Sequence, residues 1–81
     1  MDSNGLHRRA QQAFERAGAS QRDVARALDV NRPSVSRALR NEGLKHAAVQ
    51  ARILSLLEGT PVVRRSTYDG ADVVHEWAVD S

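Results

Sequence analysis

The stretch Gln21-Arg22-Asp23-Val24-Ala25-Arg26-Ala27-Leu28-Asp29-Val30-Asn31-Arg32-Pro33-Ser34-Val35-Ser36-Arg37-Ala38-Leu39-Arg40 decides how this chain folds. Val24, Ala25 and Leu28, then Val35, Ala38 and Leu39, fall at helical spacing on either side of Asp29-Val30-Asn31. Ser20 and Asp23 stand in capping-box relation at the head of the earlier helix. Asn31 caps the later one, and Pro33 lies in its first turn, where a missing amide proton costs nothing. Two short helices crossing steeply need a small residue where they touch and apolar residues that lock the corner. Ala25 is the small contact, and Val24, Leu28, Val30, Val35 and Ala38 supply the lock. The remaining positions of the later helix, Arg32, Ser34, Ser36, Arg37, Arg40 and Asn41, are polar, so most of it faces away from the core.

Upstream, Leu6, Ala10, Ala13, Phe14 and Ala17 mark an amphipathic helix over Leu6 to Ala17, with Ser3 or Asn4 as cap and Gly18 as stop. Phe14 is expected to anchor the core. Downstream, a fourth helix runs from about Lys45 to Glu58 with Val49, Ile53, Leu56 and Leu57 inward, closed by Gly59 and Pro61. Beyond Pro61 the period changes. Two runs rich in Val, Tyr and Trp flank Asp69-Gly70, which reads as a hairpin; a short helix capped by Asp69 is the competing reading. The expected fold is mainly α: a four-helix body with a helix-turn-helix over 1–60, and a C-terminal extension over 61–81 used for packing or dimerisation. A lone two-stranded hairpin is marginal in water. Val62, Val63, Tyr68, Val73, Val74 and Trp77 therefore either fold over their own helices or pair across a two-fold axis, the second being favoured.

Charge is unevenly spread. The whole chain carries +2, but from His7 to Arg52 nine arginines and Lys45 meet only Glu15, Asp23, Asp29 and Glu42, a local balance of +6. From residue 53 onward, Arg64 and Arg65 meet five acids, Glu58, Asp69, Asp72, Glu76 and Asp80, a balance of −3. A basic body with an acidic tail suits a protein that offers one face to a polyanion.

The 21–40 stretch resembles the helix-turn-helix of the lambda-repressor-like superfamily. Val24-Ala25, Val30 and Ser34-Val35-Ser36-Arg37 fall at the spacing of the lactose-repressor family's headpiece, over about a quarter of the chain. Asp29 stands where that turn usually has Gly, and the large effector-binding domain of that family is absent, so no small-molecule effector is expected. As a whole the chain is similar to compact phage Cro-type regulators. The resemblance implies double-stranded DNA as partner, with Gln21 positioning a phosphate and Asn31, Arg32 and Ser34 in the turn that approaches DNA. Arg32 and Arg37 are then the residues for bidentate contact with guanine, and Ser34 and Ser36 donate to bases or backbone. Arg22, Arg40, Lys45 and Arg52 are phosphate-charge candidates, whereas Arg8, Arg9, Arg16 and Arg26 read as solvated charges.

Other classes find little support. With no cysteine there is no disulfide and no thiolate metal site, and His7, His46 and His75 lack paired-ligand spacing and read as lone surface histidines. No nucleophile or glycine-rich phosphate loop stands beside the carboxylates, so neither enzyme nor cofactor is expected. No apolar run approaches the roughly 20 residues of a membrane span, which implies a cytoplasmic protein. The expectation is a homodimeric repressor of phage or plasmid type on a palindromic operator. The alternative is a protein-interaction module, an antitoxin or phage adaptor, on the same helical core; a recombination or partition accessory is a third.

Overall fold

A computed structural model describes residues 1–79; positions 80 and 81 of the extension lie outside the described residues. Four helices, α1 (Ser3–Ala17), α2 (Gln21–Leu28), α3 (Arg32–Arg40) and α4 (Leu44–Glu58), precede an antiparallel hairpin of β1 (Val62–Asp69) and β2 (Asp72–Val79). The mainly α body with a C-terminal hairpin is thus the observed architecture, and the helical reading of the tail is excluded.

Helix ends follow the local chemistry. The head of α1 is capped by Asp2, whose Oδ1 accepts from Gly5 N–H at 2.7 Å, so the helix begins earlier than Leu6 and neither Ser3 nor Asn4 is the cap. Ser20 accepts from Asp23 N–H at 3.0 Å, and Asn31 accepts from Ser34 N–H at 2.9 Å. The end of α2 closes as a Schellman motif, with Val30 N–H bonding Ala25 O at 3.0 Å and Asp29 N–H bonding Arg26 O at 3.3 Å. Asp29 takes the left-handed conformation there, φ 56 and ψ 45, and among the described residues is the one non-glycine residue with positive φ. Two short helices linked by three residues leave the corner no slack, so the acid adopts a backbone that glycine would adopt more cheaply.

The interior has two clusters. One locks the corner: Ala10, Val24, Ala25, Leu28, Val35, Ala38, Leu39 and Ile53, with Phe14, Val30 and Val49 half-buried against it. Phe14 is therefore a flank of the core. The other, Leu6, Ala13, Ala47, Leu54 and Trp77, joins α1 and α4 to the base of the hairpin, and Leu57 touches both. On α4 the inward row is Ala47, Gln50, Ile53 and Leu54. Leu56 is 42% exposed, against the expectation of a core position, because that row turns it to the opposite side. Ala17 is likewise exposed.

Hairpin register runs from Val62↔Val79 to Asp69↔Asp72, so the two-residue loop is Gly70-Ala71, one position on from the Asp69-Gly70 signal. Gly70 has φ 65 and Ala71 does not share the positive sign, the distribution of a type II′ loop with glycine first. Cross-strand partners share a face, so Val62, Arg64, Ser66 and Tyr68 lie with Val79, Trp77, His75 and Val73. Only the base of that face packs on the helices: Trp77 is 3% exposed and Val62 and Val79 are half-buried, whereas Tyr68 is 84% exposed. Val63, Val73 and Val74 are exposed too.

Candidate nucleic-acid interface

Burying Val35, Ala38 and Leu39 turns the other side of α3 outward. Arg32, Pro33, Ser36, Arg37 and Arg40, with Gln21 from the head of α2, line one shallow groove of ≈ 400 Å³. Arg32, Arg37 and Arg40 are exposed, and none forms an ion pair among the described residues, where the only salt bridge is Arg9 to Glu58 at 3.5 Å. Three guanidiniums without an ion-pair partner on one face can donate to phosphates or guanine edges in the planar, bidentate manner that suits arginine.

Of the residues singled out in the sequence, the groove brings together Gln21, Arg32, Ser36, Arg37 and Arg40. Pro33 joins them as part of the groove wall. Asn31 and Ser34 are engaged with each other: Asn31 Oδ1 accepts from Ser34 N–H and from Ser34 Oγ at 2.6 Å, so the serine hydroxyl proton serves the cap. Arg22 and Lys45 are exposed but lie outside the groove lining. Arg52 is placed differently again. Its Nη2 donates to Leu28 O at 2.5 Å at the end of α2, where a cation meets the negative end of the helix dipole, and it borders a separate depression with Ser55, Leu56 and Pro61.

What holds α3 is a set of polar side chains, of which Gln50 and His7 are buried, Gln11 is half-buried and Asn41 is exposed. Gln50, with no exposed surface, donates through Nε2 to Ala38 O at 2.9 Å and to Asn41 O at 2.8 Å. His7 and Gln11 of α1 both donate to Leu39 O, at 2.8 and 2.6 Å; a carbonyl only accepts, so His7 Nε2 carries the proton. Asn41 adds its own N–H and Nδ2 to Arg37 O. The last-turn carbonyls of a helix have no partner within it, and here α1 and α4 reach across to satisfy them. His7 is thus buried, contrary to its reading as a surface histidine. The signal was spacing: position 50 lies three residues after Ala47 and three before Ile53, and His7 three before Ala10, so both fall on inward rows.

On the hairpin, Arg64 lies over the Trp77 ring with 5.9 Å to its centroid, and His75 Nδ1 accepts from Arg64 Nη2 at 3.0 Å and Ser66 Oγ at 2.9 Å. His75 is half-buried by these neighbours. Among the described residues, no helix is long and apolar enough to cross a membrane, and no cluster of His, Asp or Glu is arranged to hold a metal. No protein-family model, curated protein or solved structure matches this chain.

Proposed function

We propose that this chain is a sequence-specific DNA-binding regulator that lays α3 in the major groove and acts as a homodimeric repressor on a palindromic operator. The observation that carries the reading is the outward face of α3, where Arg32, Arg37 and Arg40 stand unpaired beside Gln21 on a helix whose far end is fastened by Gln50, His7 and Gln11. A base-reading helix must present its side chains from a fixed frame, because a bidentate contact to guanine O6 and N7 tolerates little displacement. Arg32 and Arg37 are assigned to base edges, Ser36 to a base or the backbone, and Gln21 and Arg40 to phosphates. Arg22 and Lys45 add to the surrounding positive field, and Arg52 supports α2. Two copies spaced about one DNA turn apart, roughly 34 Å, read the two halves of a palindrome.

Selection of bound duplexes from a random pool, with stoichiometry measured on the winners, tests this. The expected result is an enriched inverted repeat holding two chains, with affinity falling by about three to five decades between ~50 and ~200 mM salt if roughly six to ten phosphates are engaged. Absence of any enriched sequence, or affinity indifferent to salt, contradicts it and favours the protein-interaction reading, which draws on the exposed Tyr68 and Val73 beside Asp69 and Asp72 at the hairpin tip.

A further inference from the structure

The two edges of the hairpin differ. On β2, Trp77 turns its backbone away from β1 and is met by Met1: Trp77 N–H donates to Met1 O at 2.8 Å, and the Met1 amino group donates to Trp77 O at 2.7 Å. Trp77 is the partner of Arg64, so in an alternating antiparallel ladder Arg64 also directs its N–H and C=O outward, and so do Val62, Ser66 and Tyr68. Among the described residues no further strand receives them. Beyond half-buried Val62, β1 therefore offers an open edge from Val63 to Asp69, which is a template for another strand.

We infer that this edge joins two copies of the chain, β1 to β1 in antiparallel sense about a two-fold axis, making one continuous four-stranded sheet. The inference does not depend on DNA binding. Charge selects the register. A two-fold axis perpendicular to the sheet places residues of the same face opposite each other, so the strands can be centred on a single residue. Centred on Arg65, two arginines collide; centred on Ser66, Asp69 meets Val63; centred on Tyr68, no acid meets Arg65. Centred on Thr67, each Arg65 lies opposite Asp69 of the partner subunit, Ser66 opposite Tyr68, and Arg64 opposite Gly70, which has no side chain to obstruct it.

In that register Ser66 and Tyr68, whose backbone groups point outward, form the hydrogen-bonded pairs. Arg65 and Asp69 then fall in the closer, non-hydrogen-bonded pairs, where opposite charges interact best. The arrangement also meets two needs of the isolated chain. Asp69 faces Asp72 across its own hairpin, an unfavourable pair that a neighbouring guanidinium relieves. The distal half of the hairpin, with Tyr68, Val73 and Val74 exposed, gains the added strands that a two-stranded ribbon lacks.

Sedimentation without DNA tests the register with Arg65→Glu and Asp69→Arg, each checked for helical circular dichroism. The unaltered chain is expected to sediment as a dimer. Each variant alone places like charges at both symmetric positions and should self-associate about tenfold more weakly, or worse. Mixed in equal amounts, the two should form a heterodimer, since the acid at position 65 of one then meets the base at position 69 of the other, and native Asp69 meets native Arg65. Arg65→Glu also opposes Glu76 within its own hairpin, but the mixture keeps that defect, so rescue by mixing isolates the contact between copies. A monomeric unaltered chain, variants that dimerise as it does, or a mixture no better than its components would each overturn the inference; an edge merely guarded by its arginines gives one of the first two.

Discussion

α3 and the hairpin are both exposed polar elements, yet they are secured in opposite ways. α3 is nine residues long, buries Val35, Ala38 and Leu39 along its length, and has its C-terminal carbonyls bonded by side chains from two other helices. The hairpin is held at one end: Trp77, Val62 and Val79 pack on α1 and α4, and beyond Ser66 and His75 nothing among the described residues supports it. A surface element fixed along its length can present side chains at defined positions, whereas one fixed at its root leaves a free edge for assembly. That contrast is what the two proposals draw on, recognition for α3 and association for β1.

The largest effect is expected at the root of the hairpin. Trp77→Ala should lower stability by about 3–5 kcal/mol, read by helical circular dichroism in denaturant, as truncation of a large buried aromatic does. A loss below about 1 kcal/mol would mean that the hairpin is not anchored there. Gln50→Leu keeps the volume but leaves Ala38 O and Asn41 O without their donor, and about 1–3 kcal/mol should be lost. Amide exchange should rise in the last turn of α3 more than in α1; uniform change across the helices would mean that Gln50 supports the fold without specifically holding α3. The smallest effect is at the corner. Asp29→Gly should raise stability by about 0.5 kcal/mol, since glycine meets no steric penalty at φ 56 and loses part of that gain to its freer unfolded chain.

The corner was readable because its determinants are local. Ser20, Asn31 and Asp29 act within a few residues of themselves, and the apolar rows of α2 and α3 have a single helical solution. Side chains that act at long range were not readable in the same way. Gln50 reaches α3 from nine and twelve residues away, His7 from thirty-two, and Arg52 reaches the end of α2 from twenty-four. α4 is apolar enough on both sides that Leu56 and Leu54 compete for the core, and only packing against Leu6, Ala13 and Trp77 decides for Leu54. The hairpin was legible as alternation around a glycine turn, but its loop moved by one residue because glycine takes the first position of the loop instead of the second.

The role of α3 is tested most directly by measuring the affinity of the unaltered chain and of Arg37→Ala for the selected duplex and for its single-base variants at one fixed salt concentration. The substitution should cost about 1–3 kcal/mol on the selected duplex and abolish discrimination at one base pair in each half-site, with preferences elsewhere intact. Unchanged affinity and an unchanged base preference at every position would contradict the assignment of α3 as the element that reads the sequence.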